Sequence, residues 1–140
     1  MYMIIPINSR SQVIDVQREF NLLFPFLRLE LFKHKHSYQG GSPKQEKLPP
    51  FLYLDDLGSN LPEQIIISEN MTVQELEKFF EDRLGLHLQV FRKSGTLWLE
   101  TTITDGWTLK QQNEHGMEIS LAPGVRINQG DDQNEDRTRP

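Results

Sequence analysis

The sequence predicts an α+β domain, because segments with strand periodicity alternate with segments that have helix periodicity along most of the chain. Its 140 residues suit one domain with a single hydrophobic core. Two strand–helix–strand patterns occur, and they resemble each other. Residues 122–140 contain almost no large apolar side chains. We therefore expect one folded domain over residues 1–121, followed by a disordered polar tail.

The first pattern begins with the β-branched apolar run from Met1 to Ile7, which predicts a strand. Ser9 or Ser11 is expected to cap the helix that follows. The apolar positions of this helix have helical spacing: Val13, Val16, Phe20, Leu23 and Phe24. Pro25 interrupts the pattern, and leucines from Leu27 to Leu31 then alternate with other residues, which predicts a second strand.

The second pattern repeats the first with stronger local signals. Residues 64–68 (QIIIS) predict a strand, and Thr72 with Glu75 has the spacing of a capping box. Gly85 is expected to end the helix in a left-handed conformation. The apolar positions of this helix are Val73, Leu76, Phe79, Phe80 and Leu84. From Leu86 the alternation of a strand resumes.

The two halves match at a nearly constant offset, with Val13 opposite Val73 and Phe20 opposite Phe80. Either a duplication or the shared physics of similar elements accounts for this match. Two strand–helix–strand units predict a ferredoxin-like split β-α-β sandwich, with both helices on one face of a mainly antiparallel sheet.

A further strand at residues 96–102 is expected to pair back on residues 86–92 through a turn at Lys93–Thr96, with Ser94 and Gly95 as its central residues. This register places Phe91 opposite Trp98, and Val90 opposite Leu99. Thr108 and Gln111 predict the start of a short helical turn that stops at Gly116. Alternation from Met117 to Leu121 is compatible with one more short strand.

The connection between the halves, residues 34–63, is much longer than a hairpin turn. Its first part contains glycine, proline and lysine, whereas its second part, the segment FLYLDDL at 51–57, is strongly apolar. Long loops in compact domains are commonly functional or disordered. We expect the apolar part to pack on the domain, with docking on a partner as the alternative.

Strand alternation sorts the side chains between the two sheet faces. Leu86, Leu88, Val90, Leu97 and Leu99 are expected to point to the helices, whereas aromatic and polar residues share the opposite face. In the first half that face carries Arg28, Glu30, Phe32 and His34. The candidate binding residues are Phe32, His87, Gln89, Phe91, Trp98, Glu100, Thr102 and Trp107. Aromatic rings on an open sheet face suit a binding platform. Alternatively, those rings are covered by another part of the chain and form a second small core. The segments that could cover them are Trp107 with Leu109, or FLYLDDL.

Composition limits the function classes. The net charge is −5 and the isoelectric point is near 5.3, which disfavours nucleic-acid and anionic-lipid partners. The chain has no cysteine, which leaves the redox compartment undecided. It also has no apolar run long enough to cross a membrane and no signal-peptide pattern at its start. A cytoplasmic protein without a membrane partner is therefore expected.

We expect no catalytic residue, no metal ligand and no cofactor, because the sequence has no phosphate-binding loop, dinucleotide fingerprint or nucleophile motif. His34 and His36 form an H-x-H pair, which is a weak metal signal and fits an exposed strand end better. The favoured hypothesis is a non-enzymatic interaction or regulatory module that binds a protein through the aromatic face, an exposed strand edge or the long loop. Strand addition at a free edge, either Leu27–Lys33 or Leu97–Thr102, is the favoured route. One alternative is a small-molecule-binding protein or enzyme with a pocket between the sheet and the long loop, where Glu100, His87 and Asp105 would be the polar groups. The other alternative is RNA binding.

Residues 88–116 contain F-R-K-S-G, W-L-E-T-T and D-G-W-T-L in succession. This stretch resembles a small family of uncharacterised bacterial proteins. The family has no assigned activity, so the resemblance implies a bacterial, cytoplasmic origin and no functional residue.

Overall fold

The computed structural model describes residues 2–33, 46–57 and 61–121. The strands are β1 (Tyr2–Pro6), β2 (Leu27–Lys33), β3 (Gln64–Ser68), β4 (Leu86–Ser94) and β5 (Leu97–Glu100). The helices are α1 (Val13–Leu23), α2 (Val73–Leu84) and α3 (Leu109–Leu121), with a 3₁₀ turn at Leu54–Asp56. The α+β class is confirmed. The candidate His34 and the H-x-H pair lie outside the described residues, as does the proposed tail at 122–140.

The described strands form two antiparallel sheets. β1 pairs with β3 in a two-stranded sheet, and β2, β4 and β5 form a three-stranded sheet with β4 in the middle. The single ferredoxin-like sheet is not confirmed, because β2 and β4 pair directly with each other, whereas the split β-α-β order places them at opposite edges. Leucine alternation in both strands satisfies either pairing, so local pattern does not decide between them.

The hydrophobic core lies on one face of the three-stranded sheet, where Leu27, Leu29, Leu31, Leu88 and Val90 are all buried. α1 packs mainly on β2, while α2 and α3 pack on β4. Phe20 of α1 and Phe80 of α2 are both fully buried in this core. The two-stranded sheet contributes Ile5, Ile65 and Ile67 to the same core. The helices cover one face of the three-stranded sheet, and none of the described helices lies on the other face.

The helix starts follow the capping chemistry of the sequence. The Thr72 hydroxyl accepts from the Glu75 N–H at 3.1 Å, and the Glu75 carboxylate accepts from the Thr72 N–H at 2.9 Å, as predicted. α1 differs, since its cap is Gln12, with Asp15 as partner, and neither Ser9 nor Ser11. The Ser11 hydroxyl instead accepts from the Asn8 N–H, which closes the turn before the helix. Gly85 ends α2 with φ of 69°, as predicted.

α3 corrects the prediction for the end of the domain. Thr108 and Gln111 cap the helix as expected, but it continues through Gly116 to Leu121, so the predicted strand there is wrong. Tertiary contacts explain the continuation. The Asn113 side chain accepts from the Phe26 N–H at 2.8 Å, and the Ser120 hydroxyl accepts from the Gly95 N–H at 3.1 Å. These bonds fix the helix against the sheet and outweigh the weak helix propensity of glycine.

The two halves of the chain have corresponding backbone hydrogen bonds as well as a similar apolar pattern. Val13 donates to the Leu52 carbonyl at the start of α1, and Val73 donates to the Trp107 carbonyl at the start of α2. Leu48 donates to Leu31 beside β2, just as Thr101 donates to Val90 beside β4. Leu54 and Leu109, which begin the helices that follow, are both fully buried. Residues 46–57 are therefore the counterpart of residues 99–112, and this described part of the long connection completes the first of two structural repeats.

Candidate interaction surface

The surface opposite the helices is formed by alternate residues of three strands and is called the outer sheet face. It comprises Arg28, Glu30, Phe32, His87, Gln89, Phe91, Lys93, Trp98 and Glu100. The aromatic residues among them are half-buried, whereas the core-facing residues of β2 and the first part of β4 are fully buried. Strand alternation therefore predicted correctly that Phe32, Phe91 and Trp98 share a face outside the main core.

The β4–β5 register differs from the prediction by two residues. Trp98 pairs with Lys93 and Phe91 pairs with Glu100, because Gly95 and Thr96, rather than Ser94 and Gly95, form the turn. Gly95 has φ of 67°, a left-handed conformation that tight hairpin turns require and that glycine adopts without strain. A shift of two residues preserves the face of every side chain. The prediction that Leu97 packs under the helices is wrong, because its side chain is 48% exposed.

An aromatic and cationic cluster occupies one end of the outer sheet face. The guanidinium carbon of Arg28 lies 4.8 Å from the centroid of the Trp98 ring and 5.9 Å from that of Phe91. The ammonium nitrogen of Lys93 lies 5.9 Å from the Trp98 centroid. Cations over aromatic faces are attracted by the ring quadrupole. The alternation in β2 indicated Arg28 as a member of this face, but the contact depends on the pairing of β2 with β4.

A related arrangement lies at the other end of the face. The rings of Phe32 and His87 are 5.8 Å apart between centroids, on paired positions of β2 and β4. Between the two ends, Glu30 pairs with Gln89, accepts from the Gln17 side chain at 3.0 Å and lies 4.0 Å from the Lys47 ammonium. The face therefore combines aromatic groups with charges of both signs and is not uniformly basic.

The outer edge of β2 is closed, which corrects the expectation that residues 27–33 offer a free edge. Side chains of α1 donate to its outward carbonyls, Asn21 to Leu27 at 2.7 Å and Gln17 to Leu29 at 3.0 Å. Farther along the edge, the Leu48 N–H donates to the Leu31 carbonyl, and the Lys33 N–H donates to the Glu46 carbonyl. An added strand would have to displace all of these bonds.

The outer edge of β5 is open within the described part of the chain. The Thr101 N–H donates to the Val90 carbonyl, so the alternation of an antiparallel ladder turns the backbone groups of Trp98 and Glu100 away from β4. No described residue forms a backbone hydrogen bond with these outward groups. The Trp98 ring and an unpaired stretch of backbone are therefore neighbours at this edge.

Two predicted site residues lie elsewhere. β5 ends at Glu100, and Thr102 lies exposed in the bend beyond it, so strand alternation no longer applies to Thr102. Trp107 is 37% exposed and lies over Arg92, whose guanidinium carbon is 5.6 Å from its ring centroid. Arg92 shares the core-facing side of β4 with Val90, so Trp107 is on the helix side of the sheet.

The two segments that could have covered the aromatic rings pack elsewhere in the structure. FLYLDDL packs at the start of α1, where Leu54 is buried and the Leu52 carbonyl accepts from Val13. Leu109 is fully buried at the start of α3. Neither segment therefore lies over Phe91 and Trp98.

The polar groups proposed for a small-molecule pocket are not brought together. Glu100 is opposite Phe91 and His87 is opposite Phe32, whereas the Asp105 carbonyl accepts from the Gln74 N–H at the start of α2. Among residues 2–33, 46–57 and 61–121, no group of three or more His, Asp or Glu side chains could hold a metal ion. The same ranges contain no helix long and apolar enough to span a membrane.

Titratable groups with shifted pKa values lie on the helix side of the sheet. Burial, with smaller contributions from the charges of Asp105 and Glu81, raises the pKa of Glu77 to about 7. Burial and the positive charge of Arg92 lower the pKa of His115. The His115 ring contacts Trp107 edge to face at 5.5 Å between centroids.

Comparison of the chain with protein-family models, with curated proteins and with solved structures found no match. The resemblance of residues 88–116 to a bacterial family therefore stays a prediction, and the candidate surface is argued from its geometry alone.

Proposed function

We propose that this protein is a non-enzymatic interaction module that binds a protein partner through the outer sheet face and the adjoining edge of β5. The observation that supports it is at Trp98. Its ring belongs to the cluster with Arg28 and Lys93, while its backbone N–H and carbonyl point away from the sheet. A partner strand added at this edge would gain main-chain hydrogen bonds and aromatic contact together.

The chemistry of the face supports a protein ligand. Half-buried rings of Phe91 and Trp98 contribute contact area at low cost in conformational entropy, because aromatic side chains have few rotatable bonds. Arg28 and Lys93 are balanced by Glu30 and Glu100 on the same face. Mixed charge around aromatic groups favours orientation of one protein against another over retention of a polyanion. A cytoplasmic location, compatible with the acidic and cysteine-free composition, is part of the same proposal.

The test is quantitative capture of a partner from an extract of the source cells, with the full chain immobilised as bait. Chemical cross-linking and mass spectrometry would identify the proteins retained. We expect Trp98→Ala and Phe91→Ala each to reduce retention of the same partner by at least about tenfold, as loss of a central aromatic anchor does. Trp107→Ala is the matched control, since it removes a tryptophan from the helix side of the sheet.

Edge pairing is tested separately with Glu100→Pro, which removes an outward N–H from β5. Circular dichroism would verify that the variant stays folded. Unchanged capture by Trp98→Ala and Phe91→Ala would contradict the proposed face. Unchanged capture by a folded Glu100→Pro variant would contradict strand addition at this edge while leaving the face in place.

A further inference from the structure

A groove of about 390 Å³ lies between β3 and α2, separate from the outer sheet face. Its lining combines one end and one edge of β3 with two side chains of α2: Pro62, Glu63, Gln64, Ile66, Phe79 and Arg83. Grooves between a strand edge and a helix are a common way for a domain to hold an extended peptide.

The strand on one side of the groove has an available edge. The Ile7 N–H donates to the Glu63 carbonyl at 2.8 Å, so the odd-numbered residues of β3 bond to β1. The backbone groups of Gln64 and Ile66 consequently point away from β1. Within the described ranges, neither residue forms a backbone hydrogen bond on that outward side. β3 can therefore accept another strand without loss of an existing bond.

The paired strand β1 is less suited to the same role. Pro6, opposite Gln64, occupies an outward position of β1, and proline has no N–H to donate. The internal repeat also places Glu19 of α1 at the position that corresponds to Phe79 of α2, with an offset of 60 residues. The apolar wall of the groove is thus a feature of the second repeat that the first repeat does not share.

The side chains indicate what the groove would hold. Ile66 is 44% exposed although it is apolar, and Phe79 is half-buried beside it in the groove lining. The guanidinium carbon of Arg83 lies 5.5 Å from the Phe79 ring centroid, and Arg83 has no carboxylate partner among the described residues. An apolar side chain fits between Ile66 and Phe79, and a carboxylate would satisfy Arg83.

We propose that the groove between β3 and α2 binds an extended segment of a protein partner that carries a single acidic residue and adds to β3 as a strand; Glu63 in the lining disfavours further acidic residues. Residues two apart in a strand share a face and lie roughly 7 Å apart. The segment therefore carries an apolar side chain and, two residues away, an aspartate or glutamate that pairs with Arg83. This site does not depend on the proposed function of the outer sheet face.

The test uses a set of synthetic peptides of about six residues, a length typical of a single strand. Each has a threonine background, one aspartate or glutamate, and a valine, leucine or phenylalanine two positions away. Backbone amide spectra of the full chain are recorded during titration with each peptide. We expect at least one peptide to shift the Gln64 and Ile66 amides more than the inward Ile65 and Ile67 amides, with the Trp98 amide unchanged.

The second part of the test reverses the charge at position 83 of the groove. We expect Arg83→Glu to weaken binding of the acidic peptide by about tenfold or more, and to favour a peptide in which lysine replaces the acidic residue. Arg18→Glu is the matched control, because it makes the same change on an exposed position of α1. Its affinity for the acidic peptide should equal that of the parent.

Three results would overturn the proposal. The first is an absence of shifts at Gln64 and Ile66 with every peptide at millimolar concentration. The second is binding that is insensitive to Arg83→Glu. The third is a shift of these amides with protein concentration alone, which would assign the groove to a second copy of the chain. The partner capture by Trp98 and Phe91 variants is scored separately, so failure of one proposal is distinguishable from failure of the other.

Discussion

The guanidinium of Arg28 lies against the ring of Trp98, with 4.8 Å between the guanidinium carbon and the ring centroid. Arg28 is on β2 and Trp98 is on β5, while β4 lies between them. The contact therefore spans the sheet across Phe91, whose centroid is 5.9 Å from the same carbon. It joins residues about seventy positions apart in the sequence.

The first prediction concerns the energy of this contact. In a double-mutant cycle with Arg28→Ala and Trp98→Ala, we expect a coupling of about 0.5–1 kcal/mol in the free energy of unfolding, the usual size for an exposed cation–π pair. Denaturant unfolding measures it. The control cycle pairs Trp98→Ala with Arg18→Ala, which should be additive. Additivity of the Arg28 and Trp98 changes would show that the contact contributes nothing to stability.

The second prediction concerns the close approach of α3 to the sheet. A β-carbon at Gly116 would lie 3.0 Å from the Phe26 β-carbon, 3.1 Å from the Arg92 γ-carbon and 3.2 Å from the Phe26 carbonyl oxygen. Alanine normally favours a helix over glycine by about 1 kcal/mol, but two of these neighbours belong to or adjoin the backbone and give way poorly. We expect Gly116→Ala to lower the free energy of unfolding by about 1–2 kcal/mol.

Thermal unfolding measures the stability of Gly116→Ala, with Gly106→Ala measured in parallel as the control. A β-carbon at Gly106 would have nothing within 4 Å, so that variant should keep the stability of the parent within experimental error. Stabilisation by Gly116→Ala would mean that helix propensity outweighs the contact with Phe26.

The third prediction is a pH dependence that arises from Glu77. Its pKa is raised from 4.5 to about 7, mainly by burial and further by the charges of Asp105 and Glu81. Between these two pH values, the folded chain retains a proton on Glu77 that the unfolded chain has released. The contribution of this carboxyl to stability is therefore present at low pH and declines as the pH rises from 4.5 to about 7. Glu77→Gln removes the decline.

We expect Glu77→Gln to match the parent near pH 4 and to be more stable by about 1 kcal/mol at pH 8, after allowance for solvent screening of a partly exposed group. Chemical unfolding at several pH values measures the difference, and Glu19→Gln on α1 is the control. In Asp105→Asn, carbon-detected titration should give a lower pKa for Glu77. A stability difference that does not grow with pH would contradict the assignment.

The fourth prediction concerns Arg92, which is 2% exposed and has no carboxylate partner among the described residues. Its guanidinium donates to the Gln112 side-chain oxygen at 2.6 Å, and Trp107 lies over it. We expect Arg92→Met to lower the free energy of unfolding by about 2–3 kcal/mol, because the buried Gln112 oxygen loses its donor.

A second measurement distinguishes the effect of removing the Arg92 charge from the effect of losing its packing. The pKa of His115 is lowered by burial and then by Arg92, so Arg92→Met should raise it. Proton spectra of the imidazole during a pH titration measure this change. Arg28→Met is the matched control, since Arg28 lies on the opposite face of the sheet. An unchanged His115 pKa in a folded Arg92→Met variant would exclude the electrostatic contact.

Short-range chemistry made much of the fold predictable. The run at Gln64–Ser68, the capping box of Thr72 and Glu75, and the end of α2 at Gly85 all depend on neighbours within a few residues. Strand alternation likewise sorted Phe32, Phe91 and Trp98 to one face, and this held because a register shift of two residues preserves parity. The candidate face was therefore accessible from the sequence, although the contacts within it were not.

The remainder depended on contacts between distant segments. Local alternation allowed several strand orders, and only the packed chain selected the pairing of β2 with β4 and the separation into two sheets. The edge of β2 is closed by Gln17 and Asn21 of α1 and by Leu48 of the long connection. α3 continues through Gly116 because Asn113 and Ser120 bond to distant segments, and glycine suits this position because Phe26 and Arg92 approach it closely.

Thus periodicity and capping residues by themselves located α1, α2, the start of α3 and the five strands, and they indicated which side chains share a face, since these follow from backbone geometry over a few residues. The tertiary structure alone decided which strands pair, which edges stay open, and that Arg28 reaches Trp98. These outcomes depend on the mutual packing of two repeats, and many pairings satisfy the same local pattern until one core is filled.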